Sequence, residues 1–193
     1  KTGTPPRILA KTIDFSRMKL QEAEGQEEEF CCWSREQLPP LPHARRHDMP
    51  CHQVYSTEET AQIVRDNIQF SPMYQGVIKG IGTRYCPSFE DKVVRFPQHP
   101  VHLLYLEPEG ADTREYYING ISTSLPVEVQ RAMVRSIPGM ERAVISRYAY
   151  AIEYDFLYPD QLERSLRVKS YRNLFSAGQI NGTSGYEEAA GQG

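Results

Sequence analysis

Cys86 lies in the run Arg84-Tyr85-Cys86-Pro87-Ser88, just ahead of a helix start. Pro87 and Ser88 suit the first turn of a short helix running through Asp91. The helix dipole and the cations Arg84 and Lys92 therefore favour a nucleophilic thiolate. The alternative is a buried cysteine acting as a small hydrophobe. A second stretch with chemical potential is Asn173–Gly193, NLFSAGQINGTSGYEEAAGQG. There Leu174, Phe175 and Ala177 read as a short buried strand, Gly178, Gly182 and Gly185 as a turn, and Tyr186 to Ala190 as a helix start. Such a junction brings backbone N–H groups close to a ligand, and a phosphate or pyrophosphate is its natural guest. Simple chain reversal is the alternative: G-x-G-x-x-G is absent, and Glu187 and Glu188 repel a pyrophosphate unless they point away. His43, His47 and Cys51 recur at four-residue steps, with Cys31 or Cys32 as a possible fourth ligand. Pro42 and Pro50 bracket that run and no standard zinc spacing appears, so no metal is expected.

The elements that must position these groups follow from periodicity. Gln53 to Tyr55 reads as a strand, and Ser56 and Glu59 stand at capping-box spacing ahead of a helix over Thr57 to Gln69. His102 to Leu106 reads as a strand. Asn119-Gly120, flanked by Tyr116 to Ile118 and Ile121, signals a hairpin or a sharp corner. Pro126 opens a helix whose apolar face is Val129, Met133, Val134 and Ile137. Strands are expected at Ala143 to Ser146 and Tyr150 to Phe156, and a helical turn at Pro159-Asp160. Alternating strands and helices make this an α/β or α+β chain. The residues divide softly into an insertion-like unit over 1–92, irregular from 8 to 49, and a core unit over 93–193.

Length and composition bound the rest. A chain of 193 residues, 39% hydrophobic, can bury a real core, and it holds no apolar run near eighteen. A net charge of −3 gives no global footprint for nucleic acid, so any RNA surface is local. Four cysteines without a C-x-x-C pair suit free thiols in a reducing, cytoplasmic setting. The abrupt ends lead us to expect a fragment of a longer protein. Glu22, Glu24, Glu27, Glu28 and Glu29, then Phe30 to Trp33, read as a solvated excursion with an aromatic anchor.

Five blocks carry a resemblance: KTGTPPR at Lys1 to Arg7, SPMYQGVIKGIGTRYCPSFEDKVVRF at Ser71 to Phe96, YLEPEG at Tyr105 to Gly110, NGISTSLP at Asn119 to Pro126, and AGQINGTSGYEEAAGQG. In order and over nearly the whole chain, they closely resemble the MnmG, or GidA, family of FAD-dependent tRNA uridine 5-carboxymethylaminomethyl modification enzymes. The resemblance implies part of an FAD/NAD(P)-binding, flavin-disulfide-reductase-like Rossmann fold with an inserted smaller α/β domain. On that comparison, residues 1–92 are nicotinamide-binding-like and 93–193 are part of the FAD-binding core. It assigns Gln179 to FAD, with Gly178, Thr183, Gly185 and Tyr186 as neighbours. To NAD it assigns Gly82, Thr83, Arg84, Tyr85, Cys86, Pro87, Ser88, Phe89, Glu90, Asp91, Lys92, Val93, Val94, Arg95 and Phe96. Cys86 matches a catalytic cysteine, the second lying upstream of this chain. The implied reaction installs a carboxymethylaminomethyl group at C5 of the wobble uridine of tRNA, with the GTPase MnmE as partner. Methylenetetrahydrofolate is the implied one-carbon donor and NADH the implied flavin reductant. A homodimer, joined to MnmE as a heterotetramer, is implied as well. Another FAD- and NADH-dependent oxidoreductase, or a non-catalytic domain with a flavin-type fold, are the other readings.

Overall fold

The computed structural model describes residues 1–22, 49–83, 85–110 and 112–193. In chain order the elements are β1 (Thr2–Gly3), β2 (Arg7–Leu9), β3 (Lys19–Gln21), β4 (Cys51–Tyr55), α1 (Glu58–Asn67), α2 (Phe89–Arg95), β5 (Leu103–Pro108), β6 (Glu115–Asn119), α3 (Val127–Arg135), β7 (Ile145–Arg147), β8 (Ala151–Ile152) and α4 (Tyr186–Gln192). Six strands form one sheet in the order β3-β4-β5-β6-β2-β7, and each neighbouring pair runs antiparallel. β1 and β8 pair separately as a short ribbon, Thr2 opposite Ile152. The result is the mixed α/β structure with a central sheet that the sequence leads one to expect.

Alternation decides the faces of the sheet, because successive side chains point to opposite sides. Ile8, Val54, Leu104, Leu106 and Ile118 point inward and are buried with Ala61 and Val64 of α1, Phe89 and Val93 of α2, and Met133 and Val134 of α3. Arg7, Glu107 and Tyr117 occupy the intervening positions and share the other face. The strands before Lys92 and those after it lie in this one sheet, over one continuous apolar cluster.

Three sequence expectations change in detail, and one left open between two outcomes is decided. The α1 cap is Thr57, whose hydroxyl accepts from the Thr60 N–H at 3.1 Å, not Ser56. Ser56 is engaged elsewhere, its Oγ accepting the His102 N–H at 2.9 Å. Of the two outcomes expected at Asn119-Gly120 the corner forms, while β5, ending at Pro108, and β6, starting at Glu115, pair as the hairpin. Gly120 takes φ +97°, where a Cβ would come 3.1 Å from the Leu103 carbonyl oxygen. The strand expected over Tyr150 to Phe156 contracts to Ala151–Ile152. Nor is Leu174 to Ala177 a buried strand: Leu174 and Phe175 are exposed, and only an isolated bridge from Arg167 to Phe175 forms. Three apolar residues cannot by themselves distinguish a buried strand from a loop, and here the segment pairs with its own preceding loop rather than with a sheet edge. Trp33, His43, His47, Cys31, Cys32 and Arg84 lie outside the described residues.

Candidate functional site

The Cys86 segment is built by α2 and by what α2 packs against. Ser88 is its N-cap, Oγ accepting the Asp91 N–H at 3.2 Å, as the spacing predicts. Phe89 is fully buried, and its N–H donates to the Ser122 carbonyl at 2.6 Å, so the NGISTSLP block receives the start of this helix. Glu90 is also fully buried, its Oε1 accepting the Ser124 N–H at 2.8 Å. Just upstream, the Thr2 and Thr83 hydroxyls both donate to the Cys86 carbonyl, at 2.9 and 2.6 Å. The backbone of Cys86 is thereby held from two sides while the residue stays exposed.

Of the fifteen positions that the resemblance assigns to NAD, Ser88, Phe89, Glu90, Asp91 and Val93 are buried against the chain itself. Asp91 accepts from the Tyr74 hydroxyl at 2.9 Å; burial and this bond push the Tyr74 phenol well above its ordinary range. Gly82 packs on the same helix, with room for no more: a Cβ there would meet Asp91 Oδ2 at 3.2 Å. Thr83, Tyr85, Cys86, Pro87 and Lys92 are half-buried or exposed, and Val94, Arg95 and Phe96 are exposed. Lys92 donates from Nζ to the Gly120 carbonyl at 2.8 Å, which ties α2 to the end of β6. Burial lowers the Lys92 pKa, and the nearby Cys86 opposes that shift.

Sequence reading missed Tyr117. It lies on the outer face of β6, with the Arg7 guanidinium 4.9 Å above its ring. Arg7 is held in turn by Glu109, Nε to Oε1 at 2.6 Å. Burial raises the Tyr117 pKa, as do Cys86, Glu107 and Tyr186, while Arg7 lowers it. The only available signal was the period-2 alternation of Glu115–Asn119, which separates Tyr117 from the inward Tyr116 and Ile118.

The glycine-rich corner is knitted by its own amides. Gly178 and Gly182 take φ +81° and +88°, conformations that side chains rarely adopt. The Asn181 amide donates to the Ser176 carbonyl at 2.8 Å and to Gln192 Oε1 at 3.0 Å, closing the turn onto α4. Gln179 donates from Nε2 to the Asp155 carbonyl at 3.1 Å. At the start of α4 the Gly185 N–H donates to Glu188 Oε2 at 3.2 Å, so the chain's own carboxylate takes the place that an anion would occupy. The Thr183 hydroxyl is buried without a hydrogen-bond partner. This corner touches the Cys86 segment directly: a Cβ at Gly185 would come 3.3 Å from Tyr85 Cδ2.

Among the described residues no three His, Cys, Asp or Glu side chains converge as a metal site, and no helix is long and apolar enough to cross a membrane. A surface cleft lined by Lys11, Asp14, Glu141 and Arg142 contains none of the residues singled out from sequence.

Known proteins place this geometry in a family. The chain matches the family model described as Glucose inhibited division protein A over residues 1–193. It is 54% identical over its whole length to a protein of Syntrophomonas wolfei named tRNA uridine 5-carboxymethylaminomethyl modification enzyme MnmG, and covers 30% of that protein. A Thermus thermophilus protein of the same name is 53% identical over the whole chain, which covers 31% of it. The chain thus spans about a third of these relatives' length. In structure it is similar to Aquifex aeolicus GidA in its form I crystal, with a TM-score of 0.82 and 48% identity, over 99% of this chain and 32% of that one. The form II crystal gives a TM-score of 0.80 at 45% identity. The α/β fold expected from the five sequence blocks is therefore that of GidA, and the chain belongs to the Glucose inhibited division protein A family.

Proposed function

We propose that this chain is the part of an FAD-dependent tRNA-modifying enzyme that brings a flavin and a nucleophilic cysteine together. The full-length protein, on this reading, adds a carboxymethylaminomethyl group at C5 of the wobble uridine with MnmE, in the cytoplasm, as a homodimer within a heterotetramer. The single observation that carries the proposal is the contact of Gly185 with Tyr85, which sets the glycine corner beside the Cys86 segment. The corner fits a flavin in chemical terms. Thr183 offers a buried hydroxyl lacking a partner, and the positive-φ glycines Gly178 and Gly182 turn the backbone just ahead of it. Gln179, Gly178, Thr183, Gly185 and Tyr186 would hold FAD, while NAD would lie along the exposed part of residues 82–96.

Bound FAD would supply the redox capacity of the reaction, with NADH as reductant and methylenetetrahydrofolate as one-carbon donor. The chain's own contribution is to orient the pyrimidine and activate it. Uracil C5 is a weak nucleophile until a thiolate adds at C6, and Cys86, exposed and with its carbonyl held by Thr2 and Thr83, would make that addition. A wobble base already lies in a loop, so splaying it into a pocket costs little. On this scheme the nicotinamide-facing residues would lie mostly before Lys92 and the flavin-facing ones after it, as two segments built on one shared sheet and core.

The test uses the full-length protein. Cys86→Ala is expected to abolish wobble-uridine modification while leaving FAD affinity within about twofold. Thr183→Val is expected to weaken FAD binding about tenfold, the loss of roughly one buried hydrogen bond. Modification that survives Cys86→Ala, or a Thr183→Val protein binding FAD as tightly as the wild type, would sink the corresponding half of the proposal.

A further inference from the structure

We propose that the cleft between the turn at Ala10–Thr12 and the segment around Arg142 binds backbone phosphates of the tRNA, in the duplex stem that adjoins the anticodon loop. This deepens the tRNA reading given above and rests on it. Lys11 and Asp14 line one wall of the cleft, and Gly139, Glu141 and Arg142 the other. Backbone bonds hold the walls together. The Asp14 N–H donates to the Gly139 carbonyl at 2.8 Å, the Leu9 N–H to the Val144 carbonyl at 3.0 Å, and the Val144 N–H to the Thr12 hydroxyl at 3.0 Å. The cleft is thereby built into the end of the sheet where β2 and β7 pair.

The charges in the cleft are unevenly matched. Glu141 is taken by the Arg17 guanidinium and by the Gly139 N–H, its Oε1 accepting the latter at 3.2 Å. Asp14 accepts from the Ser16 N–H and hydroxyl, at 3.1 and 2.6 Å. Both carboxylates therefore have their donors. Lys11 and Arg142 are exposed, and neither has a carboxylate partner among the described residues. Beside the cleft, where the Ala10 N–H bonds the Arg114 carbonyl at 2.8 Å, Arg114 and Asp112 add one charge of each sign. Two unmatched cations facing two occupied carboxylates attract an anion, and exposed cations suit phosphates strung along a backbone. In a chain of net charge −3 this surplus is local, as any RNA surface here has to be.

Position selects which phosphates. β2 lies between Thr2, whose hydroxyl holds the Cys86 carbonyl, and Lys11, and the nine residues separating them span at most about 30 Å. With the wobble base at Cys86, the RNA within that distance is the anticodon loop and the stem that closes it. Loop bases are needed at the thiol, while duplex RNA is gripped through its phosphates rather than its base edges. The cleft would then fix the register of the stem and so deliver the loop.

The experiment measures tRNA binding by the full-length protein across a salt series. The double variant Lys11→Gln, Arg142→Gln is expected to weaken binding about tenfold and to flatten the slope of log K against log salt by about 1.5, the share of two phosphates. KM for tRNA should rise with it, while kcat at saturating tRNA and FAD affinity stay within about twofold, because neither residue belongs to the reaction centre. Glu141→Gln carries the opposite expectation and does not depend on the double variant folding well. It releases the Arg17 guanidinium, so binding should tighten about threefold and the slope steepen by about 0.8. An anticodon stem-loop RNA should show both effects, and the loop sequence as a bare single strand neither. Wild-type affinity and slope in the double variant, or Glu141→Gln binding no tighter than the wild type, would overturn the assignment. Normal tRNA binding combined with loss of MnmE binding would overturn it too, marking the cleft as a protein-docking surface. An equal loss on the bare strand would overturn the placement on the stem. A wild-type protein that fails to bind tRNA at all would sink the tRNA reading, and this inference with it.

Discussion

Glu90 shows at the scale of one residue how this fold places charge. Its carboxyl is fully buried, Oε1 accepting from the Ser124 N–H and lying 3.0 and 3.3 Å from the Ser124 and Ser71 hydroxyls, while Oε2 has no partner. Burial raises its pKa, and the Ser124 and Thr123 bonds only partly oppose this. The sign follows directly. Because the folded pKa lies above the unfolded one, the folded state holds the proton more tightly, so stability falls as pH rises from the ordinary glutamate range, about 4.3, toward the folded value. Glu90→Gln cannot ionise and escapes that loss. In urea unfolding of the full-length protein, the wild type should therefore lose stability relative to Glu90→Gln as pH increases from about 4 to 8. Two curves running parallel across that range would refute the argument. Nothing in the SFEDK run marks Glu90 as buried rather than solvated, since an acidic residue in a first helical turn suits the dipole equally well on the surface.

At the scale of elements, α2 and the Asn119-Gly120 corner act together to set Cys86 in place. Ser88→Ala removes the α2 cap and should cost about 1 kcal/mol in unfolding measurements. Its signature is a faster amide exchange confined to Phe89–Arg95. If exchange there stays at the wild-type rate, the cap is not what holds the helix. Gly120→Ala meets two obstacles, a positive φ and the Leu103 carbonyl oxygen at 3.1 Å. It should destabilise the protein by more than 1 kcal/mol and displace the Lys92 anchor, because Nζ bonds the carbonyl of this very residue. A Gly120→Ala protein that melts with the wild type would show the corner to be tolerant. The helix starts at Ser88 and Pro126 were legible because a capping hydroxyl and the fixed φ of proline are both local chemistry. The cap of α1 was misplaced by one residue because Ser56 is drawn to the His102 amide across the sheet, a partner 46 positions away.

At the scale of the molecule, one core serves both halves of the chain. Phe89 lies in it with Leu104, Leu106 and Ile118, and packs edge-on to His102 with ring centres 5.5 Å apart. Phe89→Ala should cost about 3–5 kcal/mol by leaving a cavity among these residues. Since Phe89 follows Cys86 by three positions, the same change should alter the rate of Cys86 alkylation. A thiol rate unchanged in a folded but destabilised variant would mean that the core and the Cys86 segment are uncoupled.

The amino-acid sequence alone determined the chemistry on offer. It showed a thiol at a helix start, a glycine corner with its helix, the Ser88 cap of α2, the proline that opens α3, and the blocks that mark the family, because each depends on neighbours within a few positions. Tertiary structure alone decided which of those groups meet. Antiparallel pairing of β2, β5 and β6 set Arg7, Glu107 and Tyr117 side by side. Packing of Tyr85 on Gly185 joined segments about a hundred residues apart. The Leu174 to Ala177 run failed as a strand for the same reason. A β-strand is completed by its partner, and a partner is a property of the folded chain.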